Sequence, residues 1–178
     1  MSERQLVVVS VDVNLDPAAA FEIFTGEIDR WWRPGAQNWN NRFRAVSIRI
    51  EPGAGGRWLE VLEEPAELFE CGWITAWEPP TRFAFVDRDV GHDIDGTEVE
   101  VRFDPIEDGT RVTLEHSGWE KLESGLAAHK RELKTMGWGH ILGWYREWAG
   151  WGSPQRVANS VWKRANEAGR SKRDALLS

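Results

Sequence analysis

Valine recurs at every second position from Val7 to Val13, the alternation of a strand with one buried face. Asp16-Pro17 ends it, reading as a helix N-cap followed by proline at the first helical position, and Phe21, Phe24 and Ile28 then recur at helical spacing. Gly26 should divide this segment into two short helices ending near Trp31-Trp32. Beyond a loop rich in Asn, Gly and Pro, alternating segments follow at Phe43–Ile50, Arg57–Leu62, Glu70–Glu78, Arg82–Val86, Glu98–Phe103 and Arg111–Ser117. Turn residues separate several of them, at Pro52–Gly56, Pro79-Pro80, Asp95-Gly96 and Asp108-Gly109, which predicts an antiparallel meander. Val99, Val101 and Phe103 interleave with Glu98, Glu100 and Arg102, so one face of the sheet is dry and needs a helical cover.

The cover is predicted from about Leu122 to Trp148. At 100° per residue, Leu122, Leu126, Leu133, Gly137, His140 and Trp144 form a narrow stripe, which is assigned to the sheet. Trp138, Leu142, Tyr145 and Ala149 fall on roughly the opposite side, so a second cover is expected there. Either the tail, through Val157, Val161 and Trp162, or a second subunit could supply it; the latter would be a homodimer through Trp138, Leu142 and Tyr145. The pattern divides the chain into a domain over 1–150 and a basic C-terminal extension over 151–178.

Composition narrows the function classes. Twelve Trp in 178 residues supply stiff apolar surface for a core or the wall of a binding site. The net charge of −7 is unevenly spread, the last 28 residues carrying about +4 and the rest about −11. An acidic body argues against general binding to nucleic acid or to an anionic membrane. Cys71 is the only cysteine, so no intrachain disulfide can form, and the N-terminus lacks the apolar run of a secretion signal, which leaves a cytoplasmic location as the expectation. No apolar stretch approaches the roughly 18 residues of a membrane span.

Strand, two short helices, six strands and a long final helix is the element order of the START-like (SRPBCC) superfamily. The residues resemble most its branch related to the activator of heat-shock protein 90 ATPase. They are Val11-Asp12-Val13 through Pro17-Ala18-Ala19-Ala20-Phe21, Trp31-Trp32, the turn Pro52–Gly56 into Trp58, Gly72–Pro80, Thr113–Trp119 and Gly137–Leu142. The resemblance covers roughly residues 5 to 150. It implies an α+β helix-grip fold, a curved antiparallel sheet around a long C-terminal helix. It also implies a cavity between sheet and helix that holds a small hydrophobic molecule, or in a minority of members carries out cyclisation, dehydration or hydrolysis. A third reading is a cochaperone-like protein whose partner is a heat-shock ATPase.

The ligand-binding residues expected on this reading are Trp58, Trp73, Trp77, Phe103, His116, Leu133, Gly137, His140 and Trp144. Trp73 and Trp77 share a strand face by their spacing. His116 shares one with Val112 and Leu114 and should point inward, where it could meet His140 across the cavity as a proton-transfer pair. Gly137 on the inner helix stripe, costly for a helix, would be explained by close helix–sheet contact or by space for a ligand. No metal or cofactor is expected. His92, Asp93, Asp95 and Glu98 match neither a calcium loop nor a zinc motif, and Gly53–Gly56 precedes a strand rather than a helix, unlike a phosphate-binding loop. Cys71 has no local cationic neighbour that would activate a thiol.

Overall fold

The computed structural model describes residues 6–33, 39–88, 96–122 and 124–151. His92, Asp93, Asp95 and the extension beyond Trp151 lie outside them. The chain runs β1 (Val7–Val13), α1 (Pro17–Gly26), α2 (Ile28–Trp31), β2 (Ala45–Ile50), β3 (Arg57–Leu62), β4 (Glu67–Glu78), β5 (Arg82–Asp87), β6 (Thr97–Ile106), β7 (Gly109–Ser117), a 3-10 turn (Trp119–Lys121) and α3 (Ser124–Gly150). Seven antiparallel strands in the order β1-β7-β6-β5-β4-β3-β2 make one sheet, whose inner face takes α3 and the α1–α2 pair. This is the helix-grip arrangement expected from the sequence.

Local chemistry sets the element boundaries. Asp16 caps α1 by accepting from Ala19 N–H at 3.0 Å, and Pro17 occupies the first turn, where no N–H is needed. In the β2–β3 turn, a Cβ on Gly56 would lie 2.0 Å from the Glu51 carbonyl oxygen, so only glycine fits. That turn is tied sideways to β4, since Gly55 N–H donates to Ile74 O and Ile74 N–H to Gly56 O. Its glycines therefore serve the sheet.

The core is aromatic. Phe24 meets Trp31, Phe83, Phe103 and Tyr145 with ring centroids 4.9 to 6.1 Å apart, and Trp58 stacks on Phe85 at 4.5 Å. Most buried polar groups in this core are paired, Trp39 Nε1 being an exception. Trp31 Nε1–H points at the Ile23 and Phe24 carbonyls, and the Tyr145 hydroxyl donates to Ala20 O at 2.9 Å. Glu60, on β3 and almost fully buried, accepts from the Asn40 and Asn41 backbone and from Asn41 Nδ2 at 2.6 to 3.0 Å, pinning the chain that enters β2.

Two expectations about side-chain direction are reversed. The sheet-facing stripe of α3 is Trp138, Ile141, Leu142, Tyr145, Trp148 and Ala149, all buried, whereas His140 is exposed and Leu133 and Gly137 only partly covered. Trp144 packs at the margin of the core. Trp138, Leu142 and Tyr145 are therefore not a dimer surface, because they are buried within this chain, Trp138 against His116 and Trp32 and Tyr145 against Ala20, Phe24 and Trp31. The partners decide the rotation: the Trp138 indole N–H finds His116, the Tyr145 hydroxyl finds Ala20, and the Trp148 indole N–H finds Glu27 at 2.6 Å. The second reversal is in β4, where the register shifts between Ile74 and Ala76. Trp77 then pairs with Phe83 and reaches the core, while Trp73 pairs with Val86 on the other face. One extra residue in a strand inverts every later side chain.

The rotation of α3 has a consequence for Gly137. A Cβ there would meet nothing within 4 Å, so the residue holds no space open toward the sheet. Gly137→Ala is expected to stabilise the fold by up to about 1 kcal/mol through helix propensity. Chemical denaturation of the pair of proteins measures this, and a loss of stability would show that the helix backbone is in close contact at this point.

Candidate functional site

His116 and its partners form a closed polar cluster at one end of the sheet. β7 alternation turns it inward with Thr110, Val112 and Leu114, and no solvent reaches it. Trp138 Nε1–H donates to Nδ1 at 2.9 Å, which fixes the proton on Nε2, where it is donated to Thr97 Oγ1 at 2.6 Å. The Trp119 ring lies 4.3 Å away, its own N–H on the His116 carbonyl. Burial pushes the imidazole pKa down to about 3, with the positive charge of Lys134 adding to the effect and Asp87 opposing it. A neutral histidine with both nitrogens occupied has no lone pair to offer as a base. His140 is exposed on α3, so the two histidines do not face one another.

The other titratable candidates are equally passive. Burial pushes the Cys71 thiol up to about 12, with the Glu60 carboxylate adding to it, so the thiolate is scarce at neutral pH. Burial likewise raises Tyr145. Among the described residues no group of three or more His, Cys, Asp or Glu is placed to hold a metal ion, and no helix is long and apolar enough to cross a membrane.

Open space lies elsewhere, in a cleft of about 700 Å³ between the α1–α2 pair, the edge strand β2 and the β4–β5 turn. Its apolar surface comes from Phe21, Ile28, Ile48, Ile50 and Trp77, with Pro52, Pro79 and Pro80 at the rim. Polar groups are few: Glu22, Thr25, Asp29 and Arg49. Thr25 donates its hydroxyl proton to Phe21 O at 2.9 Å, leaving lone pairs on its oxygen. Asp29 accepts from Ile48 N–H at 3.0 Å and so holds α2 against the edge strand, setting the width of the cleft. Phe21 and Trp77 meet edge to face at 5.4 Å and form its aromatic floor.

Of the nine residues expected to bind a ligand, only Trp77 lines this cleft. Trp58, Phe103 and His116 are packed into the core, Trp73 is on the other face of the sheet, and His140 lies exposed on α3. The cleft residues that sequence reasoning passed over had one legible signal, the apolar face of Phe21 and Ile28 on the short helices. Ile48 and Ile50 carry none, because an apolar position on an edge strand reads the same whether a helix, a ligand or solvent lies beside it.

The model of the family described as Activator of Hsp90 ATPase homolog 1-like protein matches residues 14–147. Among curated proteins no relative matches. Solved structures share the fold. The AHSA1-like protein from Aeromonas hydrophila is 20% identical with a TM-score of 0.55, over 80% of this chain and 90% of that one. The Aha1 dimer from Colwellia psychrerythraea is 14% identical with a TM-score of 0.56, over 83% and 98%. An anthrahydroquino-gamma-pyrone synthase, Txn09, complexed with a molecule designated SUM, is 28% identical with a TM-score of 0.53, over 83% and 99%.

Proposed function

We propose, for a chain that belongs to the family of Activator of Hsp90 ATPase homolog 1-like proteins, that it binds a small hydrophobic molecule in the cleft between α1–α2, β2 and the β4–β5 turn. The observation that supports this is the cleft itself. A volume of about 700 Å³ lies within the range of small-molecule sites, and a mostly apolar lining with a few fixed polar groups is their usual composition. This reading puts the site beside the short helices rather than under α3, whose sheet-facing side chains are packed among core aromatics. A cavity-based enzyme resting on His116 and His140 has no support in this geometry. The synthase relative keeps cyclisation open as a reading of the fold without supplying a catalytic group here.

Ala18, exposed on α1 and lining the cleft, allows a test with little risk to the core. A neutral fluorescent probe, N-phenyl-1-naphthylamine, is expected to bind the parent protein. Ala18→Trp should fill the cleft and weaken binding tenfold or more, about 1.4 kcal/mol, with an unchanged thermal midpoint. Ala128→Trp, on an exposed part of α3, should bind as the parent does. Equal affinity in parent and Ala18→Trp would place the probe elsewhere and sink the cleft as the binding site.

A further inference from the structure

We propose that the turn leading into β2 is a second binding site, separate from the cleft, for a small aromatic carboxylate. A cavity of about 310 Å³ lies there, lined by residues 39 to 44, none of which lines the cleft. Two of these residues hold donors that meet no acceptor. Trp39 is 5% exposed and its indole N–H is unpaired, and the Arg44 Nε–H is likewise enclosed and unpaired. Enclosed donors are nearly always matched in folded proteins, so two of them in one turn point to an acceptor supplied from outside the chain.

The turn around these donors is held in place. Glu60 accepts from the Asn40 and Asn41 backbone and from Asn41 Nδ2 at 2.6 to 3.0 Å, and Asn41 O accepts from Arg44 N–H and Ala45 N–H. Arg44 is fixed through another nitrogen, Nη2, which donates to Pro65 O at 3.1 Å and to Glu67 Oε2 at 3.2 Å. The Glu60 and Glu67 carboxylates are thus committed to the protein. The lining itself contains two guanidinium groups and no carboxylate, so an anion matches it, and a carboxylate has two oxygens to accept N–H groups. Phe43 adds the requirement for a ring. It is 86% exposed, with the Arg42 guanidinium 4.3 Å from its centroid. A flat apolar body laid against this pair would take the ring out of water, whereas an amine on the same body would meet two like charges.

The test follows the Trp39 indole N–H by two-dimensional NMR of the full chain at pH 7, its signal assigned through nuclear Overhauser contacts to its own backbone. 2-Naphthoate should move this signal downfield and saturate. Acetate, which lacks the ring, should bind about fivefold or more weakly, and 2-naphthylmethylamine should leave the signal in place. Phe43→Ala, a change at an exposed side chain, should cut the advantage of naphthoate over acetate to about twofold or less. Trp39→Phe keeps a ring and loses the donor, so affinity read from the remaining shifted signals should fall about tenfold, the worth of one hydrogen bond to a charged group. Ala18→Trp, which closes the cleft, should leave naphthoate binding unchanged. A Trp39 signal that stays in place up to the solubility limit of the acid would show that water serves these donors, and would overturn the site. Equal shifts from acid and amine would overturn the carboxylate preference. Unchanged affinity in Phe43→Ala or in Trp39→Phe, or binding lost in Ala18→Trp, would put the acid elsewhere and overturn the proposal too. If Trp39→Phe does not fold, the ligand series and Phe43→Ala decide the matter without it.

Discussion

Trp138→Ala is expected to destabilise the domain by about 4 kcal/mol, the usual magnitude for removing a buried indole from a core. Trp138 is 3% exposed, touches Trp32 at 5.8 Å between ring centroids, and donates the hydrogen bond that satisfies His116 Nδ1. Removing it leaves both a cavity and a buried acceptor without a donor. In a domain of this size the thermal midpoint should fall by roughly 10 °C. His140→Ala, two residues on and exposed, should stay within about 0.5 kcal/mol of the parent. Urea denaturation of the two variants decides which side of α3 faces the sheet. A larger loss from His140→Ala than from Trp138→Ala would show that the helix is turned the other way.

The second large effect is a loss of stability in mild acid. His116 binds its proton at about pH 3 when folded and near 6.5 when unfolded. Between those values the unfolded chain holds the extra proton, so stability is fully present above pH 6.5 and drains away as pH falls toward 3. One such group removes about 1.4 kcal/mol per pH unit inside the window, hence about 2 kcal/mol between pH 7.5 and 5. The carboxylates held low by arginine, Asp12 by Arg111 and Glu51 by Arg57, act in the same direction but begin only near their ordinary values of 3.8 and 4.5. The interval from pH 6.5 to 5 therefore isolates His116 from these two groups.

His116→Gln provides the control. Glutamine can still accept from Trp138 and donate to Thr97, but it does not titrate, so the variant should be weaker at pH 7.5 and lack this part of the acid sensitivity. Measured by urea denaturation, the gap between parent and variant should narrow by about 2 kcal/mol on going from pH 7.5 to 5. Parallel curves across that range would mean that His116 is not held neutral in the folded protein.

What the sequence determined by itself was local. The valine alternation of β1, the Asp16-Pro17 cap, the break at Gly26 and the turn residues between strands each act through the backbone of a few neighbours, and the element order follows from them. β3 begins and ends where its alternation does, at Arg57 and Leu62. The burial of His116 was also legible, since it shares parity with Val112 and Leu114 along an unbroken β7. Trp73 and Trp77 lost their shared parity because a bulge in β4 lies between them, and nothing in Ile74-Thr75-Ala76 announces the extra residue. The rotation of α3 was decided by tertiary partners. Both of its stripes carry apolar residues, so periodicity alone offers two answers, and the choice falls to whichever side lets Trp138, Tyr145 and Trp148 bury their rings while pairing their polar atoms. The cleft belongs to the same class of feature. It exists because α1–α2 docks beside an edge strand at a distance fixed by the Asp29 to Ile48 hydrogen bond, and a gap between elements distant in sequence has no local pattern from which to be read.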